Sequence, residues 1–303
     1  MLSQSPRALS APSAGIAALA LVCACALPGC SSSTAFPEVG QDRATTANSV
    51  LALRIGNSPG VGADAYSTGV GRLLLVDGAG TGNSVDVGAM IDAGLVWDAS
   101  GLHYGTSGAE VAVSDSGTTS VPRGKDERHE LSRYSIDDGA ASLAFYIDGD
   151  QQDAVAVTAD GTRDLVPMAG DDGSPIAFSP GHLDWLVGHL SGSAYTFVTS
   201  YGEVYSTDLG TGTTRPLFTV PLTDPDSQAS RFTVDAQNVF TLDVPADSEA
   251  PLTLRRDPLD GGGGEVLLTV DASPVRKGTF LTGGPLMVQA FALRPAYMEG
   301  FAR

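Results

Sequence analysis

Thiols are scarce in this chain: Cys23, Cys25 and Cys30 are its three cysteines, so all fall within the first 30 of 303 residues. No disulfide can staple the chain beyond Cys30, and a cysteine-ligated zinc site is excluded there. Lysine is nearly as rare. Lys125 and Lys277 are the two, and neither belongs to a Ser-x-x-Lys pair. Charged residues make up only 17%, too few to wet the outer faces of many amphipathic helices. Positive charge is the scarcest property. The formal net charge is −18, and Arg7 is the only charged side chain ahead of Cys30. From Cys30 onward 16 basic residues face 35 acidic ones, a balance of −19. Such a surface repels phosphate backbones and anionic headgroups. Nucleic acid is therefore not expected as a partner, and any hold on a membrane must come from a hydrophobic anchor.

Glycine, at 37, and proline, at 18, are plentiful, and hydrophobic residues reach 42%. A sizeable core is therefore within reach, built from short strands and tight turns. The length suits one large all-β domain.

Arg7 provides a basic start, and the apolar run from Ile16 to Leu27 spans 12 residues. That fits the hydrophobic region of a secretory signal and is too short to cross a bilayer as a helix. Leu27-Pro28-Gly29-Cys30 comes next. This resembles the bacterial lipobox, with an aliphatic residue, a small residue before the cleavage point, and an obligatory cysteine after it. Pro28 departs from the usual small residue. The resemblance implies a lipoprotein: cleavage between Gly29 and Cys30, diacylglycerol on the Cys30 thiol, and acylation of the new amine, with palmitate for example. Two or three acyl chains give durable anchoring where one does not. It also implies a chain held on the extracytoplasmic side of the cell membrane. With Ser31 rather than Asp after the cysteine, the outer membrane is expected if the envelope has two. Residues 1–29 thus read as signal peptide, and 30–48, opening Ser31-Ser32-Ser33-Thr34, as a lipidated tether.

The domain expected at 49–303 shows no convincing helix. Strand-length apolar runs recur at 50–55, 72–76, 95–97, 110–113, 142–147, 154–157, 195–199, 204–206, 216–220, 232–234, 239–242, 252–254, 266–270 and 286–292. One unit repeats, an apolar strand, an Asp-and-Gly turn and a second strand. Its aspartates are Asp77, Asp115, Asp160, Asp208 and Asp260, spaced by 38, 45, 48 and 52. Asp accepts backbone N–H bonds and Gly takes positive φ, which suits hairpin turns. A period of this length matches a propeller blade. The chain resembles bacterial propellers with degenerate quinoprotein-like or WD40-like blades, and Trp97-Asp98 resembles a single WD dipeptide. Residues 278–295, completed by 49–55, read as a further unit joining the termini. The expectation is an all-β propeller of six blades, with seven as the rival count and a pair of β-sandwiches as the rival fold.

Catalytic motifs are sparse. Gly188-His189-Leu190-Ser191-Gly192 has the wrong spacing for a nucleophile elbow. His103, His129, His182 and His189 form no close pair, although His182 and His189 flank Trp185. Asp148, Asp150 and Asp153 are candidate calcium ligands, but the EF-hand glycine and terminal glutamate are missing, and a solvated turn competes. Asp171-Asp172 and Asp224-Pro225-Asp226 are further acidic turns, and Gly261 to Gly264 lacks the partners of a phosphate loop. Trp97, Tyr104, Phe145, Tyr146, Trp185, Tyr195, Phe197, Tyr201 and Tyr205 read as propeller core or as a binding face. The chain is expected to carry no cofactor, calcium being the only one its pattern admits. Its expected role is a scaffold for an envelope protein or glycan. The alternative is a hydrolase or lyase at the channel mouth.

Overall fold

Apolar strands punctuated by Asp and Gly fold back on one another, so most strands pair with the next in sequence. The computed structural model describes residues 36–56, 71–87, 94–106, 109–122, 132–136, 143–148, 153–157, 163–176, 186–222, 230–247, 249–273 and 287–300. The short β1 (Glu38–Val39) and a 3-10 turn at Gln41–Arg43 precede the first meander. That meander contains β2 (Leu51–Gly56), β3 (Gly71–Val76) and β4 (Gly82–Asp86). The second is β5 (Leu95–Asp98), β6 (Gly101–Gly105), β7 (Ala109–Ser114) and β8 (Gly117–Pro122). The third is β9 (Ser132–Ile136), β10 (Leu143–Asp148), β11 (Asp153–Val157) and β12 (Arg163–Pro167). The fourth is β13 (Leu186–Ser191), β14 (Ala194–Val198), β15 (Glu203–Asp208) and β16 (Thr214–Thr219). The fifth is β17 (Arg231–Val234), β18 (Asn238–Asp243), β19 (Leu252–Pro258) and β20 (Glu265–Val270). Finally β21 (Met287–Leu293) returns to β2, and a short helix, α1 (Pro295–Gly300), ends the described chain.

The return of β21 joins the two ends of the domain in one sheet, ordered β1-β4-β3-β2-β21. Leu53 stands opposite Phe291 in the register, and a bulge falls between Arg54 and Ile55. The leading strands then form a ring: β21 touches β5, β5 touches β9, β9 pairs with β13, β13 touches β17, and β17 touches β21. A closed ring of leading strands is the arrangement of a propeller, not of stacked sandwiches.

The blade count needs correction. Among the described residues hydrogen bonding defines four sheets, hence four blades in place of the six or seven expected. One blade has double width, because β9 and β13 pair in parallel and fuse the third and fourth meanders into eight strands. Of the extra unit assigned to 278–295 with 49–55, the described residues supply β21 and β2 to the sheet whose β3–β4 turn holds Asp77, and 278–286 lie outside the described residues. Among the described residues the repeat holds: Asp77, Asp115, Asp208 and Asp260 fall where the third strand of a meander leads to its fourth.

The core lies between blades. Leu51, Leu53, Ile55, Phe291 and Leu293 pack against Phe240, Leu242, Leu252 and Leu254 of the fifth meander. From the other side of the same sheet Ala52, Leu73, Leu75 and Ala290 meet Trp97, Leu102, Tyr104 and Val111 of the second. Fully burying each Leu, Ile or Phe contributes roughly 1.5–3 kcal/mol, so these seams hold the ring closed. Tyr195 and Phe197 are fully buried and stacked, with ring centres 5.4 Å apart, and Tyr205 stacks on Phe197 at 5.7 Å. Tyr195 and Phe197 are core, and Tyr205 is half-buried beside them.

Two further expectations change. A helix does occur after Ser49, where Pro295 starts α1 with its preset φ and no donor to waste. Residues 36–48, expected as tether, belong to the folded unit from Ser33 onward. Phe36 is buried in the core, β1 runs parallel along β4, and Arg72 pairs with Glu38 at 2.8 Å. The segment is a strap, not a free leash. Its Ala44 carbonyl accepts from Thr118, and Gln41 reaches the Tyr104 hydroxyl.

Candidate functional site

Aspartates build the turns that lead into the outer strands. Asp77 Oδ1 accepts the N–H groups of Ala79 and Thr81, and Oδ2 accepts the Thr81 hydroxyl. Asp208 takes the N–H groups of Gly210 and Thr211, and Asp260 that of Gly262. Asp172 and Asp271 accept from Ser174 and Ser273 in the same way. These carboxylates are therefore used locally, satisfying backbone donors that a tight turn leaves over. Gly261, at φ +82°, and Gly264, which leaves room for the Asp257 carboxylate, make the glycine run a hairpin tip.

Asp115 departs from this pattern. Ser114 Oγ accepts the N–H of Ser116 and closes the β7–β8 turn, freeing the Asp115 carboxylate to face outward. Its Oδ1 accepts from the Thr46 hydroxyl at 2.8 Å and its Oδ2 from Arg294 Nη2 at 2.5 Å. Arg294 also donates to the Thr46 carbonyl at 3.0 Å and lies over the Trp97 ring, 5.9 Å from its centre. The Thr46 hydroxyl and then the guanidinium hold the Asp115 carboxyl below the ordinary carboxylate range. Strap, closing strand and second meander meet at this knot.

A cleft of about 490 Å³ opens beside the knot, lined by Thr46, Asp98, Ser100, Ser114, Ser116 and Arg294 among others. Asp98 is its most buried acid. Oδ1 accepts the N–H groups of Ser100 and Gly101 at 2.8 and 3.2 Å and the Ser100 hydroxyl at 2.6 Å. His103 Nε2 lies 3.3 Å from the same oxygen and 2.8 Å from Ser100 Oγ. Burial pushes the Asp98 carboxyl up, but the hydrogen bonds from His103 and Ser100 outweigh it and leave it below the usual range. Gly101 sits at φ +143°, with the Val113 carbonyl where a side chain would go. Only glycine fits there.

Asp, His and Ser together invite comparison with a nucleophilic triad, and the geometry differs from one. A triad aspartate orients the base through the ring nitrogen remote from the serine. Here a single nitrogen meets both partners, and the carboxylate accepts the serine hydroxyl directly. Both nearby N–H groups are also turned onto Asp98 instead of toward a reacting oxygen. The cluster tightens the β5–β6 turn. The cleft itself offers hydroxyls, a carboxylate and a held guanidinium, a lining suited to a hydroxylated or amide-rich ligand.

Of the other residues singled out in the sequence, His189 is buried on β13, and Gly188 lies beneath the Tyr195 ring. Asp171 pairs with Arg215 at 2.7 Å on the surface. Asp148 and Asp153 face each other in the β10–β11 register, and Asp150 lies outside the described residues. Gly29, Cys30, Lys125, His129, His182, Trp185, Asp160, Asp224, Asp226 and Lys277 also lie outside them. Among the described residues no cluster of three His, Cys, Asp or Glu could hold a metal ion, and no helix is long and apolar enough to cross a membrane. The knot leaves no mark in the sequence, because nothing in the local pattern links Thr46, Asp115 and Arg294.

No protein-family model matches the chain. No curated protein matches it either. Among solved structures it is similar to the Neurospora crassa Pan2 WD40 domain, at 12% identity and a TM-score of 0.36, covering 77% of this chain and 66% of that one. It is also similar to AofleA from Arthrobotrys oligospora, at 10% identity and a TM-score of 0.37, over 78% of this chain and 81% of that one. A streptogramin B lyase shares 13% identity and a TM-score of 0.33, over 68% and 81% respectively. The chain is an all-β propeller, a fold that hosts many unrelated functions.

Proposed function

We propose that the chain is an exported lipoprotein, held outside the cell membrane by diacylglycerol on Cys30, whose propeller is a rigid scaffold for an envelope protein or glycan. The observation that carries this reading is Leu27-Pro28-Gly29-Cys30 behind a 12-residue apolar run, with Cys30 as the last cysteine of the chain. The boundary of the folded unit supports it, since that unit begins at Ser33, just beyond Cys30. The cleft beside Arg294 is where the partner docks, on a lining of hydroxyls set by rigid turns.

The test is affinity capture from detergent-solubilised membranes and on a glycan panel, using the native chain and a cleft-filled Ser114→Trp variant. The scaffold reading predicts a reproducible partner that the variant loses. Turnover of a glycan or ester by the native chain, with no partner retained, would favour a hydrolase or lyase instead.

A further inference from the structure

The strap fixes how far the domain can stand from its anchor. Only residues 31–35 separate Cys30 from Phe36, and Phe36 is already buried in the seam between the first and fifth meanders. Six backbone steps reach at most about 21 Å when fully extended. A compact domain of this size has a radius of gyration of roughly 18 Å, so its diameter exceeds that reach about twofold. The leash is too short for the domain to tumble freely over a surface.

Its point of attachment is also specific. The Pro37 carbonyl accepts the Ser84 N–H at 2.9 Å, and β1 is zipped to the outer edge of β4. Pro37, Asn48, Asp77, Thr81 and Asn83 share one shallow depression there. The first meander neighbours the second and the fifth in the ring, so the third and fourth lie across it.

We propose that the outer edge of the first meander, around Pro37, Thr81 and Asn83, faces the lipid bilayer, while the outer strand β16 of the fourth meander points away from it. This rests on acylation at Cys30. No basic patch is needed, because the leash alone imposes the orientation against the repulsion of an acidic surface.

The experiment uses the full lipidated chain in phosphatidylcholine vesicles that contain nitroxide-headgroup lipid. Cys30 is consumed by its own lipid, so Asn83→Cys and Leu217→Cys each introduce a single labelling site; both parent residues are exposed. A fluorophore at position 83 should be quenched several-fold more than one at position 217. An insert of about twenty Gly and Ser residues after Ser33, adding roughly 25 Å of root-mean-square reach, should erase the difference. Equal quenching without the insert, by protein that floats with the vesicles, would overturn the orientation and leave the anchor standing. Failure to float with the vesicles would overturn both.

Discussion

Arg294 and Asp115, 179 positions apart in sequence, form an ion pair at 2.5 Å that ties the end of the closing strand to the second meander. The same carboxylate receives Thr46 from the strap, so three chain segments converge on one acid. Asp115 is about half exposed, and solvent screens the pair. Asp115→Asn should therefore cost only roughly 0.5–1 kcal/mol. Thermal unfolding at neutral pH checks this, and a larger loss would mean that the knot supports the ring closure itself.

The acid limb of stability draws on Asp115 and Asp98. Asp115 is held low by Thr46 and Arg294; Asp98, raised by burial, is brought low by His103 and Ser100. A carboxyl whose folded value lies below its unfolded one stabilises the fold above the unfolded value, about 3.9. That contribution is lost as pH falls through the folded value. The midpoint of unfolding should stay level through the neutral range and drop below about pH 4. Asp98→Asn should make the drop shallower.

Asp98→Ala removes an acceptor shared by two backbone donors, the buried N–H of Gly101 and the part-buried N–H of Ser100. Leaving buried donors without partners costs about 1–3 kcal/mol. Ser100→Ala, at an exposed position, should cost well under half as much. Equal losses would indicate that the hydroxyl, not the carboxylate, organises the turn.

A β-carbon on Gly188 would fall 2.4 Å from the Tyr195 ring, which is fully buried. Overpacking of this kind costs about 1–3 kcal/mol. Gly188→Ala should lower the denaturant midpoint accordingly, and the paired Gly188→Ala, Tyr195→Leu chain should recover part of the loss.

Much of this architecture is legible from the residues. Inner strands such as β2, β3 and β21 are apolar on successive positions because both faces of each blade are covered, and they stand out in the sequence. Among the outer strands, β16 and β20 carry such runs and others do not. β8 reads Gly-Thr-Thr-Ser-Val-Pro and is mostly exposed, so no apolar run marks it. β4, which reads Gly-Asn-Ser-Val-Asp between β1 and β3, carries no such run either. The Asp-and-Gly repeat gives the right number of meanders; treating β2 and β21 as a new unit adds one blade too many, and the parallel β9–β13 fusion merges two others into one. The parallel β9–β13 fusion has no local signature at all. At the candidate site, the turn chemistry of Asp77 and Asp208 is readable, whereas the meeting of Thr46, Asp115 and Arg294 depends on closure of the ring.

Phe291 tests that closure. It is fully buried opposite Leu53. Phe291→Ala should cost about 3–5 kcal/mol, against less than about 0.5 kcal/mol for Val266→Ala on the exposed edge. Chemical denaturation distinguishes them.

The anchored-scaffold account is tested most directly by the intact mass of the amino-terminal peptide from protein extracted out of native membranes. A peptide beginning at Cys30 and carrying a diacylglyceryl thioether is the predicted result, and Cys30→Ala should release the chain into the soluble fraction. A free sulfhydryl on Cys30, or a peptide still beginning within the leader, would contradict the account.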